Sequence, residues 1–341
     1  MSVNSNYLVR VEKKLKQQLT GARSVFLLGA GSSYLNGNGY PLADQLWESI
    51  RDSIPENERA DIQSKLDEGA DGLEHALDLI DKGGVDEGPH RYSVVIAIAV
   101  HFSKLSPSLK VHRQFVSHLA NRNEKRSIIF SLNYDPLLER AAEDEHVRLY
   151  DGFHGFENAY FDPSSLGEDT AIFSRGFRWP RVHWVLGRLH LFKLHGSVGW
   201  YDCPKEGIRR TRFDSDIPAS ATRLMVPPQH RKAADTMLRP YANLWSEFRG
   251  RVAQGPELSN RLISIGYGLR DNHVNAVIEA GLARNNFTLI VCCKFLAEDV
   301  VARWKDSRNV ILVTENICCL QGEVGPGHPD LWAFERIVEE V

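Results

Sequence analysis

The sequence predicts an α/β domain built on a doubly wound parallel sheet. Apolar runs of strand length recur along the chain, and segments with helical periodicity separate them. Several of these runs end directly in a turn that carries glycine, asparagine, aspartate or histidine. Parallel neighbours need long crossovers, so a helix after each strand indicates a sheet with helices on both faces. At 341 residues and 43% apolar composition, the chain is long enough to bury such a core.

The N-terminal segment is predicted to form an amphipathic helix over residues 1–20. Four apolar side chains recur there at helical spacing: Leu8, Val11, Leu15 and Leu19. The predicted core offers this apolar face no evident partner, which makes it a candidate surface for contacts between copies of the chain. Residues 21–341 are assigned to a single domain.

Six core strands are predicted from buried apolar runs: Ser24–Leu28, Ser127–Ser131, Leu189–Leu194, Arg261–Ile265, Phe287–Cys292 and Asn309–Val313. Helices are predicted between the last strands, over about 272–283 and 296–304. The pattern from about 41 to 122 is helical almost throughout, with Pro41 at its start, which indicates an inserted helical module. Segments 155–188 and 202–255 lack a clean period and are interpreted as irregular insertions.

Composition excludes several classes of function. Lys and Arg total 41 against 44 Asp and Glu, so the net charge of -3 does not require nucleic acid or an anionic membrane as the main partner. The longest apolar run, Val94–Val100, is far shorter than the ~20 residues that span a bilayer. The N-terminus lacks the apolar segment of a signal peptide, and we expect a cytoplasmic protein. The five cysteines include no C-x-x-C spacing, so neither a zinc ribbon nor any other bound metal is expected.

Four strand ends carry residues suited to ligand binding. They are Gly29 to Ser33, Asn133 to Asp135, His195 to Ser197 and Gly266 to Gly268. Ligands of open α/β sheets bind beyond the carboxyl ends of the strands, so these ends are expected to converge on one site.

The glycine loop after the first strand has the form of a phosphate-binding turn, because Gly29 and Gly31 allow close approach of backbone N–H groups. A tight turn without a ligand is the alternative. Binding in the dehydrogenase manner is disfavoured, since Tyr34 stands at the third glycine position and the following region is helical. The sequence also has no Walker lysine after this loop and no Gly-x-Ser-x-Gly elbow.

Three polar residues at the other ends are candidates for the chemistry. Asp135 precedes Pro136 and could serve only as a helix cap, whereas Asn133 has no such evident duty. Together they could aim an amide and a carboxylate at one ligand. His195 lies beside a glycine, where it could act as a general base near neutral pH; a structural role is its alternative.

These strand ends, in this order, resemble the sirtuin-like family, which cleaves the bond between nicotinamide and ribose in NAD+. Its Gly-Ala-Gly-x-Ser motif corresponds to Gly29, Ala30, Gly31 and Ser33, and its Gly-x-Pro motif to Gly39, Tyr40 and Pro41. Its Asn-x-Asp motif corresponds to Asn133 and Asp135, and its His-Gly motif to His195 and Gly196. Its Gly-Thr-Ser motif corresponds only loosely to Gly266, Tyr267 and Gly268. The stretches 132–139, 193–197 and 265–271 look like the bacterial branch of antiviral defence systems.

The resemblance implies a Rossmann-like fold and NAD+ as substrate. The amides around Gly29, Ala30, Gly31, Ser32 and Ser33 would hold the pyrophosphate, and Pro41 would lie at the nicotinamide end. Asp135 would bind the carboxamide, Asn133 the ribose or the attacking water, and His195 a ribose hydroxyl. Gly266 and Tyr267 would face the adenosine ribose.

Two departures from the family direct the functional prediction. The zinc ribbon of deacylating sirtuins is missing, and Leu42, Ala43 and Asp44 replace the arginine that usually follows Gly-x-Pro. Water is therefore the expected acceptor, and the sequence predicts an NAD+ glycohydrolase.

The resemblance places this activity in a toxic effector of bacterial antiphage (abortive infection) defence. Such an effector needs restraint, so a homo-oligomer and a regulatory partner, for example a HerA-like hexameric ATPase of the DNA-translocase type, are expected. The alternatives are ADP-ribosyl transfer, a non-catalytic NAD or ADP-ribose sensor, and nucleic-acid cleavage with a partner; nucleic acid is otherwise expected only indirectly.

Overall fold

A computed structural model describes residues 3–81, 88–122, 126–155, 157–167, 171–175, 180–184, 188–226, 237–255 and 258–341. Within these ranges the α-helices are α1 (Val3–Leu19), α2 (Gly31–Tyr34), α3 (Ala43–Ile50), α4 (Glu56–Asp67), α5 (Gly72–Ile80), α6 (Pro89–Ser103), α7 (Lys110–Ala120), α8 (Leu137–Asp144), α9 (Tyr241–Val252), α10 (Asn272–Leu282), α11 (Glu298–Trp304) and α12 (Phe334–Val338). The strands are β1 (Ser24–Leu28), β2 (Arg126–Ser131), β3 (Arg148–Tyr150), β4 (Phe153–His154), β5 (Ala159–Phe161), β6 (Ala171–Arg175), β7 (Pro180–Trp184), β8 (Arg188–Lys193), β9 (Gly196–Cys203), β10 (Gly207–Arg210), β11 (Thr222–Met225), β12 (Arg261–Ile265), β13 (Thr288–Cys292), β14 (Val310–Val313), β15 (Ile317–Leu320) and β16 (Glu323–Pro326).

The main sheet confirms the predicted α/β class. Its strand order among the described residues is β16-β15-β14-β13-β12-β1-β2-β8-β3. Every pairing from β14 to β3 is parallel, and β15 and β16 extend the sheet in antiparallel fashion. The bounds of β1 and β12 agree with the prediction. The predicted bounds of β2, β13 and β14 differ by one residue at the N-terminal end, and those of β8 differ by one residue at both ends.

Alternate side chains of the core strands pack on opposite faces of this sheet. Val25 and Leu27 belong to one apolar cluster, while Phe26 and Leu28 belong to the other. Helices α9, α10 and α11 supply apolar side chains to the first cluster, and α1, α7, α8 and α12 supply them to the second. The sheet is therefore covered on both faces, as a doubly wound fold requires.

The first helix is part of this core, which corrects the idea that its apolar face lacks a partner. Val11, Leu15 and Leu19 are fully buried in the second cluster. The Tyr7 hydroxyl also donates to the Cys318 carbonyl oxygen of β15 at 2.9 Å. Because the core covers this face, it is not available as a surface for contacts between copies.

The helices that follow the first strand form a cluster of their own. Apolar residues of α3, α4, α5 and α6 pack together, whereas α7 packs against the sheet. The first of these helices begins at Ala43 and not at Pro41, and Leu42 is its N-cap. None of the described helices is long and apolar enough to cross a membrane.

The segments interpreted as irregular insertions contain a second, antiparallel sheet. Its described order is β11-β9-β10-β5-β4, and β6 and β7 form a separate hairpin. Parts of these segments, residues 156, 168–170, 176–179, 185–187 and 227–236, lie outside the described residues.

The order of the core strands fixes where a ligand site can lie. The chain passes from β1 to β2 on one side and later places β12 on the other side of β1. A sheet that winds in both directions from one strand leaves a crevice at the carboxyl end of that strand. Both glycine-bearing loops, at Gly29 and at Gly266, leave the sheet at this crevice.

Candidate active site

One cavity of about 580 Å³ lies at the carboxyl ends of the central strands. Nine of the predicted site residues line it: Gly29, Ala30, Ser33, Pro41, Asn133, Asp135, His195, Gly266 and Tyr267. A volume of this size suits a small-molecule or cofactor ligand. The structure thus brings together residues from four strand ends that are far apart in the sequence.

The remaining two predicted residues, Gly31 and Ser32, do not line the cavity. The Gly31 amide donates to the Gly266 carbonyl oxygen at 2.9 Å, and a Cβ on Gly31 would lie 2.7 Å from the Gly266 Cα. Gly266 has a φ of +66°, and a Cβ there would lie 2.4 Å from the Ser32 nitrogen. These glycines are required because the two loops pack directly on each other.

The amides of the glycine loop are mostly engaged within the protein. Those of Gly29, Gly31, Ser32 and Ser33 each donate to a backbone carbonyl oxygen at 2.9 to 3.0 Å. Among the described residues the Ala30 amide has no such acceptor. The amides of residues 29–33 therefore do not all point to a ligand. Of these five amides, the one at Ala30 can bind a phosphate.

Asn133 joins the loop after β2 to the glycine loop. Its Nδ2 lies 3.0 Å from the Gly29 carbonyl oxygen, 2.9 Å from Ser33 Oγ and 3.3 Å from Ser32 Oγ. Three oxygens around one nitrogen settle which end of the amide faces the loop. The amide oxygen of Asn133 is left without a hydrogen bond from the described part of the chain, and the residue lines the cavity.

The two carboxylate oxygens of Asp135 have different surroundings. Oδ1 accepts a hydrogen bond from the Leu137 amide at the first residue of α8 (3.1 Å), close to the predicted capping role, although Pro136 and not Asp135 is the N-cap. Its side chain is 6% exposed and lines the cavity. Oδ2 has no donor among the described groups, so it can accept one from a ligand.

Lys193, at the end of β8, forms hydrogen bonds to the loop after β2. Its Nζ lies 2.5 Å from the Asp135 carbonyl oxygen, 3.2 Å from that of Tyr134, and 3.0 Å from both Glu139 Oε1 and Ser197 Oγ. The side chain is 1% exposed. The ammonium group therefore fixes the backbone between Asn133 and Asp135 and binds it to the end of β8.

His195 follows β8 and is 4% exposed. Its Nε2 lies 3.4 Å from Nε2 of His273 on α10. The Trp245 ring packs against the His273 ring at 4.7 Å, and its Nε1 donates to the Leu194 carbonyl oxygen at 3.1 Å. The candidate general base is thus one member of a pair of imidazoles held by a buried indole.

Both carboxylates and guanidinium groups line the cavity. Asp44, Asp71 and Glu74 line it from the helices after β1, which contribute no Lys or Arg to the lining. Arg270 and Arg303 line it from the loop after β12 and from α11. Asp271 and Asp299 line the cavity from these same two elements, so both signs of charge occur beside the arginines.

Two buried phenols also line the cavity. Burial and the nearby Asp135 carboxylate raise the pKa of Tyr40, and burial raises that of Tyr267 well above its ordinary value. The Tyr267 hydroxyl accepts a hydrogen bond from the Asp271 amide at 2.9 Å. Both phenols are therefore neutral at physiological pH and can only act as hydrogen-bonding groups.

A SIR2-like domain model matches residues 127–308, which is more than half of the chain. The chain belongs to the SIR2-like family. No curated protein matches it significantly. Among solved structures, a mutant Sir2 homologue in complex with ADP-ribose is 12% identical, with 96% of this chain and 95% of that one covered and a TM-score of 0.47. A Sir2 homologue in complex with NAD is 13% identical, with 83% of each chain covered and a TM-score of 0.39.

This SIR2-like chain shows no group of three or more His, Cys, Asp or Glu placed to hold a metal ion within the residues that the structure describes. Its cysteines are all buried and unpaired. Burial raises the pKa of Cys293 to about 12 and that of Cys318 to about 11, so these thiols are protonated and chemically inert.

Sequence reasoning missed several groups of the SIR2-like site. Lys193 and Arg270 lie within stretches that carried the resemblance, yet neither was assigned a role. His273 lies 78 residues from His195, and only the packing of α10 brings the two rings together. Clustered Arg209, Arg210 and Arg212 lie elsewhere, each on an acidic partner: Glu206, Asp151 and Asp214, respectively.

Proposed function

We propose that this SIR2-like chain is an NAD+ glycohydrolase that converts NAD+ and water into ADP-ribose and nicotinamide. The observation that carries the proposal is the convergence of Asn133, Asp135 and His195 on one cavity. Within it, the Asn133 amide oxygen and one Asp135 oxygen have no partner among the described groups. A site of this kind positions a ligand and a water molecule without a strong nucleophile.

Charge supports NAD+ as the substrate. The nicotinamide ring of NAD+ is cationic, and the carboxylates of Asp44, Asp71 and Glu74 line the cavity from the inserted helices. The pyrophosphate is anionic, and Arg270 and Arg303 line the cavity from the loop after β12 and from α11, beside Asp271 and Asp299. We assign the pyrophosphate to these two cations and the Ala30 amide.

The reaction requires positioning more than nucleophilic power. The bond between ribose C1′ and the nicotinamide nitrogen breaks, and its electron pair stays on nicotinamide, which leaves as a neutral molecule. The C1′ cation then forms a bond to a water oxygen, and one proton is released. Fixed dipoles and carboxylates stabilise the developing cation in a cavity shielded from bulk water.

Each of the three central residues has a role in this scheme. Asp135 Oδ2 accepts a hydrogen bond from the carboxamide N–H₂ of nicotinamide and so orients the leaving group. The Asn133 amide oxygen accepts one from the attacking water or from a ribose hydroxyl. His195 accepts a proton, or holds a ribose hydroxyl in place.

We also propose that the activity serves antiphage defence in the cytoplasm, since stretches 132–139, 193–197 and 265–271 resemble that bacterial branch. Loss of cellular NAD+ is lethal, so the chain is expected to be restrained by its own oligomer or by a partner such as a HerA-like hexameric ATPase.

The decisive experiment measures NAD+ consumption by the purified chain, with products separated by chromatography. Asn133→Ala removes the free amide oxygen and is expected to lower kcat by about 100- to 1,000-fold. Asn38→Ala, an exposed asparagine outside the cavity, is the matched control and keeps full activity. Circular dichroism checks that both variants fold.

Three outcomes separate the candidate functions. ADP-ribose and nicotinamide in equal amounts from the native chain, lost in Asn133→Ala, support hydrolysis. Label from adenine-tritiated NAD+ on macromolecules indicates ADP-ribosyl transfer instead. NAD+ binding without turnover, with or without the candidate partner, indicates a sensor, and absence of binding refutes the proposal.

A further inference from the structure

A second histidine, His273, contacts the candidate general base. The two Nε2 atoms are 3.4 Å apart, so a hydrogen bond between them requires a proton on one nitrogen and a lone pair on the other. Both rings therefore cannot be protonated at these positions at once. The 3.4 Å contact therefore has room for one proton between the two nitrogens.

The two members of the pair differ in their access to solvent. His195 is 4% exposed, whereas His273 is half-buried at the second position of α10. Trp245, 1% exposed, packs against His273 and donates to the Leu194 backbone next to His195. This indole fixes the separation of the two rings.

NAD+ hydrolysis creates a proton that has to leave the cavity. Water adds to C1′, and the oxygen gives up one hydrogen ion for each NAD+ cleaved. A buried imidazole that accepts this proton must lose it again before the next turnover. His195 needs an exit for it.

We infer that His273 is this exit, a proton relay between the buried His195 and solvent. The inference rests on the proposed hydrolase function. His195 accepts the proton at Nδ1 while its Nε2 proton crosses the 3.4 Å contact to His273 Nε2. His273 then releases the proton from Nδ1 to solvent, which leaves both rings neutral with His195 protonated at Nδ1 and His273 at Nε2, and no oxidant or other reactant is consumed.

Charged groups from the neighbouring elements face the same cavity. Arg270 and Asp271 lie in the loop directly before α10, and Asp135 lies in the loop after β2. Asp135 binds the Leu137 amide, and the Asp271 backbone amide is taken by the Tyr267 hydroxyl. His273 lies within hydrogen-bond distance of His195.

The relay is tested with two variants of His273 in the full chain. His273→Gln can keep a hydrogen bond to His195 but cannot pass a proton, and His273→Ala leaves room for free imidazole. We expect kcat to fall about 10- to 100-fold in both, with KM for NAD+ changed less than about twofold. Added imidazole should restore His273→Ala towards the native rate and leave His273→Gln unchanged.

A histidine outside the site serves as the control. His90 contacts Asp61 on the inserted helices, and His90→Gln should keep the native kcat with no response to imidazole. A His273→Gln variant with native kcat overturns the relay. So does a loss in His273→Ala that appears mainly in KM or does not respond to imidazole, because either result indicates a structural role.

A second measurement decides the pairing independently of turnover. Imidazole ¹⁵N NMR of the native chain should show the His195 and His273 signals titrating together, and His273→Gln should change the His195 curve. If the native chain does not hydrolyse NAD+ but the rings titrate together, the proposed function fails while the pair stands. If the His195 curve is the same in both proteins, the relay is wrong.

Discussion

Replacement of Lys193 by methionine should destabilise the fold and the candidate site together. The ammonium group is 1% exposed and bound to Glu139, Ser197 and two backbone carbonyl oxygens. Methionine replaces the apolar stem of lysine, one atom shorter than the whole side chain, but leaves the Glu139 carboxylate, 21% exposed, without its cation. Lys193 binds Oε1 of Glu139, and the buried Oε2 has no hydrogen-bond partner within the described residues.

The expected loss follows from this geometry. Removing one partner of a buried ion pair costs about 3–5 kcal/mol, because the other charge stays buried. With a urea dependence of about 3 kcal/mol per molar, the unfolding midpoint of Lys193→Met should fall by about 1–2 M. NAD+ turnover should fall as well, since the backbone between Asn133 and Asp135 loses its anchor.

A double-mutant cycle separates charge burial from packing. Glu139→Gln removes the orphaned charge, and in the Lys193→Met background it should recover about 1–3 kcal/mol. The measurement is urea unfolding followed by tryptophan fluorescence for the four proteins of the cycle. A loss below about 1 kcal/mol in Lys193→Met, or a coupling energy near zero, would refute the assigned role of Lys193.

Three further predictions follow from burial and backbone geometry. Gly266→Ala places a Cβ 2.4 Å from the Ser32 nitrogen at a φ of +66° and should abolish NAD+ binding in calorimetry, whereas Gly250→Ala, on α9 outside the cavity and with open space around it, should bind normally. Burial lowers the pKa of His112 to about 4 from 6.5, so the unfolded chain takes up the proton first and stability falls as the pH drops from 6.5 to 4. His112→Phe should reduce that slope by about 1.4 kcal/mol per pH unit in urea titrations; an unchanged slope contradicts the burial argument. All five thiols should resist a thiol reagent in the native protein and react after unfolding; reaction of the native protein would show that the buried packing around them is wrong.

The core strands could be predicted because each is a short apolar run closed by a turn signal. Gly29 directly follows Ser24–Leu28, and Gly266 directly follows Arg261–Ile265. Both the apolar run and the glycine that follows it therefore define each strand. Their carboxyl ends carry the predicted ligand residues, and the doubly wound topology places these ends at one edge. The location of the candidate site could be predicted for the same reason.

The second sheet could not be predicted from the same signals. Phe153–His154 and Ala159–Phe161 are too short to show a period of two. They pair with each other, and Ala159–Phe161 also pairs with Gly207–Arg210, far along the chain. Strands of two to four residues carry little local information. Their pairing is decided by tertiary contacts, which a single sequence does not display.

The glycines show how one pattern can serve two purposes. Gly29 and Gly31 suggested backbone amides held out to a phosphate, yet most amides of their loop bind carbonyl oxygens of the protein. Their physical requirement is the direct contact between the loops after β1 and β12, which leaves no room for a Cβ. Sequence alone cannot distinguish a glycine that admits a ligand from one that admits a neighbouring loop.

Contacts between loops give the candidate site its rigidity. The Gly31 amide binds Gly266, the Asn133 amide nitrogen binds the glycine loop, and Lys193 binds the Asp135 backbone. Each contact joins the end of one strand to the end of its neighbour, so none of these loops can shift alone. A reaction through a C1′ cation needs fixed dipoles before bond cleavage, because reorganising them during the reaction would cost the free energy they supply. The contacts that exclude a loop-wide phosphate cradle are therefore the ones that hold the free Asn133 and Asp135 oxygens in place.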